Sequence, residues 1–337
     1  MTTSDIGRKP LKTWSLLGDV RRKPSPYEVV TAKFHYHFRR DPAPFELDPE
    51  VPLNLWYLKH REGSPLMVED WEGFRDPAKL TYADYVMLQH ERETYVDLLT
   101  DHHEAAESAA GLDPAWVQTL RELFVPLRFP LHVLQMSGLY VGQMAPSAFI
   151  INCSNFSAAD ELRRIQRIAY HTRALADAHG EELAETATAR DAWEKGAAWQ
   201  PLREALEQLL TVRDWGEAFV ALDVVLKPAL DAVVNQQLSE LASRNGDEYL
   251  SLLMAEFQLD AQRSRDWTSA LLRYAVAQDP AMAGVVGGWL DTWQPRAHAA
   301  VAGLAPLFGS APNPLEPSLV VSAADDAVRA VAESAGP

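Results

Sequence analysis

The chain has 337 residues, 47% hydrophobic and 23% charged, the profile of a globular protein with room for one large domain or two ordinary ones. Its 47 acidic against 31 basic residues give a formal net charge of −16, which argues against nucleic acid or an anionic membrane surface as partner, since both demand a basic footprint. No run approaches the ~20 apolar residues of a membrane span, the N-terminus carries no apolar signal core, and a single cysteine, Cys153, rules out internal disulfides and thiolate metal clusters; a cytoplasmic protein is expected.

Residues 1–76 hold eight of the 22 prolines together with Trp14, Tyr27, Trp56, Tyr57, Trp71 and Phe74. Proline fixes φ and removes an amide donor, so no long helix fits here. A disordered arm, however, would be poor in aromatic residues. The expectation for residues 1–80 is an extended segment that lies on another surface and anchors itself by its rings.

From Thr81 to about Leu307 the pattern is helical. Thr81 and Asp84 form a capping signature, followed by Tyr85, Leu88, Tyr95, Val96 and Leu99 at helical spacing, with Arg92 in the missing slot. Asp113-Pro114 and Asp279-Pro280 each set a capping acid before a proline suited to a first helical position. Ser157 is read as the start of a further helix, and Asp214 as the start of a very apolar one carrying Trp215, Phe219, Leu222, Leu226, Leu230 and Val233. Shorter helices are expected at 247–260, 262–278 and 281–305. No alternating strand pattern interrupts them. Residues 308–337 begin Gly-Ser-Ala-Pro-Asn-Pro and are rich in small residues, which predicts a flexible tail.

A long helical body raises the question of a ferritin-like di-iron centre, which takes Glu from two helices and Glu-x-x-His from two more. The residues three before the ten histidines are Ala32, Phe34, Tyr57, Met87, Leu99, Thr100, Phe129, Ile168, Ala176 and Pro295, so the signature is absent. Phosphate loops, dinucleotide fingerprints, zinc-protease and nucleophile-elbow motifs are absent as well. Gly138 and Gly142 lie four apart and suit two closely packed helices.

Polar residues in apolar surroundings are given structural roles. His132 and His171 are expected to be hydrogen-bonded or packed core histidines. Glu217 and Asp223 are six apart and cannot share a helix face, and Asp223 has Lys227 four residues on as a partner. His102, His103 and Glu104 read as a solvent-facing cluster, and Cys153 as a buried inert thiol.

Several stretches resemble the β subunit of the hydroxylase component of bacterial multicomponent di-iron monooxygenases, in the toluene/alkene/isoprene branch. They are Lys12-Thr-Trp-Ser-Leu-Leu, Arg21-Arg-Lys-Pro-Ser-Pro-Tyr27, Asn54-Leu-Trp-Tyr57, the block from Pro126 to Pro146, and Asp214-Trp-Gly-Glu-Ala-Phe219 with Lys227-Pro228. They run in order from Lys12 to Pro228, and the resemblance extends over roughly residues 12 to 295. The resemblance implies an all-α, ferritin-like (ribonucleotide-reductase-like) bundle without metal ligands over 81–307, behind an N-terminal arm that packs on a partner subunit. It implies that this chain binds no cofactor and has no catalytic residue. The di-iron centre, O₂ activation and hydrocarbon pocket would lie in an α subunit that β scaffolds within an (αβγ)₂ hydroxylase. A Rieske-type ferredoxin, an NADH-dependent flavin reductase and an effector protein complete such systems. Trp14, Tyr27, Trp56 and Tyr57 become subunit-interface candidates, because buried aromatic residues dominate interface energies.

Substrate identity belongs to α. Arginine outnumbers lysine 23 to 8, a bias of GC-rich genomes that leans toward alkene or isoprene over toluene-type aromatics. Two other function classes stand beside this one. An enzyme with its own site built from Glu217, Asp223 and a histidine would bind metal as a lone chain. A free-standing helical binding protein would be a well-behaved monomer.

Overall fold

The computed structural model describes residues 23–32 and 51–335. Among these every regular element is helical. The order is α1 (Pro26–Ala32), α2 (Pro52–Tyr57), α3 (Tyr82–Ala105), α4 (Pro114–Leu123), α5 (Arg128–Met144), α6 (Ala148–His179), α7 (Thr186–Lys195) and α8 (Gln200–Leu209). Then come α9 (Trp215–Phe219), α10 (Lys227–Asp231), α11 (Leu238–Arg244), α12 (Glu248–Gln278), α13 (Met282–Gly309) and α14 (Pro317–Ala332).

The capping chemistry acts as the sequence predicts at three of the four sites; at the fourth, α13 begins at Met282 with no side-chain cap, and Asp279 ends α12 while accepting from the Ala281 amide. The Thr81 hydroxyl accepts from the Asp84 amide and the Asp84 carboxylate accepts from the Thr81 amide, satisfying two amides that the first helical turn leaves unpaired. Asp113 caps α4 by accepting from the Ala115 amide, and Asp214 caps α9 by accepting from the Glu217 amide. Other boundaries differ from expectation. The α6 helix starts at Ser147, ten residues before Ser157, whose hydroxyl instead sits mid-helix and accepts from the Trp267 indole at 3.0 Å. Residues 248–278 form one helix where two were expected.

Residues 215–244 run as one continuous helix whose α-helical pieces α9, α10 and α11 are separated by wide π-helical stretches at Val220–Leu226 and Ala232–Gln237. Pro228 lacks the amide for a normal ladder and lies between those stretches. Every residue from Ala218 to Asn235 is buried, so this helix is the axis of the body and the others surround it. The α5 and α6 helices pair across a short turn, where a Cβ added at Gly138 would reach Ala158 Cβ at 3.4 Å and the Gly138 carbonyl accepts from Ser154 Oγ at 2.7 Å. A Cβ at Gly216 would lie 2.7 Å from Leu66 Cβ. That contact, with Ser64 Oγ donating to Asp214 at 2.8 Å, presses the 64–74 segment onto the start of α9.

Two expectations about the ends are overturned. The 308–337 tail is not flexible over its described part. It folds as α14, which buries Val320, Ala324, Val328 and Val331 against the body. Its apolar residues recur at helical spacing, and the small residues that resemble a linker are what let it pack closely. The arm is not wholly extended, and its described parts fold onto their own chain. Leu66, Val68, Trp71 and Phe74 are core residues, with Trp71 edge-on to Trp215 at 5.2 Å.

Candidate functional site: a charged core and an apolar outer face

Residues three apart share a helix face, and this spacing brings two acid–arginine pairs together inside the bundle. Asp160 and Arg163 lie on α6, and Asp260 and Arg263 on α12. The pairs cross. Arg163 donates to Asp260 at 2.7 Å, while Arg263 donates to Asp160. From α3, Arg92 donates to Asp260 at 2.6 Å, and the Gln89 amide donates to Asp160 and to Asp260, both at 2.9 Å. The Tyr85 hydroxyl completes Asp160 at 2.9 Å. Glu93 takes Arg163 and Arg167, and Glu256 lies 3.5 Å from Arg163. Burial, then the charge of Asp260, pushes Asp160 up to about 7 against the opposing pull of Arg263.

The next register of α6 points at the axial helix. Glu161 accepts from Lys227 at 2.6 Å and from Nε and Nη2 of Arg164, whose Nη1 donates to Asp231 at 2.7 Å and to Asn235 at 2.9 Å. Burial pulls the Lys227 ammonium down, but Asp231 and Glu161 outweigh it and hold the group above its ordinary value.

The expected Asp223–Lys227 pair does not form a hydrogen bond, because the π-helical stretch at 220–226 rotates Asp223 away from the i+4 position. Lys227 instead bonds Glu161 and Asp231, at 2.6 and 3.0 Å. The Asp223 Oδ2 atom is buried without a hydrogen bond. Burial pushes this carboxyl up to about 8, with Lys227 pulling it back. It is held protonated at neutral pH, which leaves the acids Glu161 and Asp231 balanced by Arg164 and Lys227. Glu217 is half-buried and accepts from the Trp293 indole at 3.2 Å.

The remaining singled-out residues separate. His132 is exposed and not in the core, because its side of α5 faces out. His171 is buried between the rings of Phe124 and Tyr249, and burial depresses its basicity. It closes one wall of an open cavity of about 550 Å³ lined also by His103, Glu104, Tyr170, Asp247 and Tyr249. Cys153 is buried and its thiol pushed far up, first by burial. Among the described residues no group of three or more His, Cys, Asp or Glu side chains is placed to hold a metal ion.

The four interface candidates have different fates. Trp14 lies outside the described residues. Tyr27 is 5% exposed, its ring 5.6 Å from Phe149 and its hydroxyl accepting from the Asp76 amide, so it anchors this chain's own core and is not open to a partner. Trp56 is 36% exposed, donates to the Tyr140 hydroxyl and lies under the Arg213 guanidinium. Tyr57 is half-buried beside it. Leu53 and Leu55 are exposed on the same short helix. A second apolar surface was missed from sequence. The α3 helix turns Gln89, Arg92 and Glu93 toward the charged core and leaves Tyr82, Val86, Met87, Tyr95 and Leu98 outside, with Leu98 65% exposed. The inward side is mixed, with Tyr85 and Val96 buried beside these ionic groups, and of the stripe expected from sequence Tyr95 lies outside.

The sequence profile of the methane/phenol/alkene hydroxylase family matches residues 56–279. The chain belongs to this family. It is similar to the β subunit of the hydroxylase component of the toluene-4-monooxygenase system of Ectopseudomonas mendocina, with 40% identity over 87% of this chain and 89% of that one. Similarity extends to the phenol 2-monooxygenase oxygenase component DmpL of Pseudomonas sp. strain CF600, with 26% identity over 74% of this chain and 76% of that one. A solved structure of toluene 4-monooxygenase with toluene in its resting active site aligns at a TM-score of 0.81 and 38% identity, covering 89% of this chain and 98% of the matched chain. The fold is therefore the ferritin-like helical fold of these hydroxylases. Phenol hydroxylase from Pseudomonas sp. OX1 shares it at a TM-score of 0.76 and 19% identity, over 92% of this chain and 94% of that one.

Proposed function

We propose that this chain is the non-catalytic β subunit of the hydroxylase component of a soluble di-iron monooxygenase, where it holds the catalytic α subunit in working geometry within an (αβγ)₂ complex. The observation that carries this is the near end-to-end match to a hydroxylase β subunit combined with a bundle core in which Asp160, Glu161, Asp231 and Asp260 are taken up by arginine and lysine. Carboxylates held by fixed cations are not offered to a metal. Iron and O₂ chemistry then belong to α. Electrons would come from NADH through a flavin reductase and a Rieske-type ferredoxin, with an effector protein tuning the complex. The surroundings would be cytoplasmic, and no helix among the described residues is long and apolar enough to cross a membrane.

Two surfaces suit the partner subunits: the Trp56, Tyr57, Leu53 and Leu55 patch and the outer face of α3. Single exposed apolar residues are ordinary, but rows of them on one face mark an association surface. Trp14 belongs to the same proposal, and Trp14→Ala should weaken assembly. The substrate class supported best is a toluene-type aromatic hydrocarbon, on the 40% identity to a toluene-4-monooxygenase subunit. Small alkenes and isoprene are the other substrates this reading allows.

The test is co-expression with the neighbouring genes of its operon. Co-elution with α and γ at a mass near (αβγ)₂, with toluene oxidation dependent on this chain, is the expected result. A chain that stays monomeric beside a fully active α would refute it.

A further inference from the structure

A ferritin-like bundle gives its metal pair a fixed setting: carboxylates from two helices, and an acid with a histidine three residues on from each of two others. The residues here do not fit that group. An arginine stands at each third position, and a guanidinium has no lone pair to offer a metal. The misfit has a definite form. The same acid-x-x-arginine pattern occurs on α6 (Asp160, Arg163) and on α12 (Asp260, Arg263), and each arginine reaches across to the other helix's acid. The third helix, α3, sets Gln89 between the two acids, with one amide nitrogen 2.9 Å from each. Asp160 and Asp260 keep only 4–5% of their side-chain surface exposed, and Arg163 keeps 7%. Two acids that share a bridging group, flanked by a reciprocal pair of i+3 residues, have the connectivity of a two-metal site in which cations of the chain replace cations of the solvent.

We propose that the crossed Asp160–Arg163 and Asp260–Arg263 pairs occupy the metal position of the bundle, with the guanidiniums supplying the positive charge that binds α3, α6 and α12 together. The neighbouring Glu161–Arg164 pair is not that position. It is a single acid-x-x-arginine pair facing the axial helix, and its cation partner Lys227 comes from that helix. The inference stands on the fold and the side-chain geometry, and is independent of the subunit role proposed above. It also gives the polar residues on the inner face of α3 a cause. Gln89 and Arg92 join the crossing beside the buried Tyr85 and Val96, while Val86, Met87 and Leu98 stay outside.

The place assignment makes a gain-of-binding test possible. The variant Gln89→Glu/Arg163→His/Arg263→His removes the two crossed guanidiniums, leaves Arg92 on Asp260, and offers three carboxylates and two imidazoles at the crossing. Arg164→His/Lys227→His makes the equivalent change in the neighbouring register. Full-length proteins are purified with and without Co²⁺, and cobalt per chain, the visible ligand-field bands and the melting temperature are recorded. The expected result is that the triple variant retains at least one cobalt ion per chain and melts higher with cobalt than without. Wild type and the control variant are expected to do neither. Because a folded state that binds metal is stabilised by it, misfolding is itself informative. A triple variant that stays unfolded at saturating cobalt, or that folds and retains no more cobalt than wild type, overturns the assignment. Equal binding by the control variant overturns it too.

Discussion

The indole Nε1 of Trp56 lies 3.2 Å from the hydroxyl of Tyr140, joining a short arm helix to α5 at the surface. The hydroxyl in turn donates to the Arg213 carbonyl, and the Arg213 guanidinium covers the indole at 5.6 Å. The ring is thus fixed by its neighbours while more than a third of the residue stays open, the state in which an aromatic residue serves a partner at little entropic cost. Trp56→Ala should weaken association with the catalytic subunit by about 2 kcal/mol, the scale of an interface hot spot. Sedimentation of the mixed subunits measures this. Unchanged association would remove the patch from the interface.

Tyr27 makes the opposite prediction. Its ring is enclosed by this chain's own Phe149, so Tyr27→Ala should cost about 3 kcal/mol of folding stability by leaving a cavity. Tyr27→Phe should cost only about 1 kcal/mol, the value of one hydrogen bond. Denaturant titration of both variants separates the ring from the hydroxyl. Equal losses would mean that the hydroxyl contact to Asp76 dominates.

The contrast between these two tyrosine- and tryptophan-bearing segments shows what the sequence could and could not convey. Caps such as Thr81–Asp84 were legible because each is closed within four residues. So was the all-α body, whose 3.6 period repeats over long stretches. Whether Tyr27 meets its own core or a partner was not legible, since a ring attached to a proline-rich segment looks the same in both cases. The tail was misread because alanine and serine are equally at home in a linker and in the tight seam that α14 forms. The absence of Glu-x-x-His was readable from spacing alone. The crossed arginines were not, because Asp160 and Asp260 are a hundred residues apart and meet only in the fold.

Asp223 makes stability depend on pH. An ordinary aspartate ionises near 3.8, whereas this buried carboxyl holds its proton up to about 8. Between those values the unfolded chain binds fewer protons than the folded one, so this group's contribution falls as pH rises through the window and is constant above it. Asp223→Asn, neutral at every pH, should flatten that decline. It should equal wild type near pH 4 and exceed it near pH 8. Melting curves across the range check this, and a variant that tracks wild type throughout would show Asp223 ionised in the fold.

The α14 helix is held by its apolar stripe. Val320 is fully buried, so Val320→Asp should cost more than about 3 kcal/mol by burying an unpaired charge. Leu319→Asp, one residue away and 56% exposed, should be nearly silent. Thermal melts of the pair decide the point, and similar losses in both would mean that α14 does not pack as described.

The central claim is that this chain shapes a hydroxylase without holding its iron. It is tested most directly by iron per chain, measured for the chain alone and in the complex purified after co-expression. The account predicts no stoichiometric iron on the lone chain, and iron in the complex that remains with α when the subunits are separated. About two irons bound to the lone chain would contradict it.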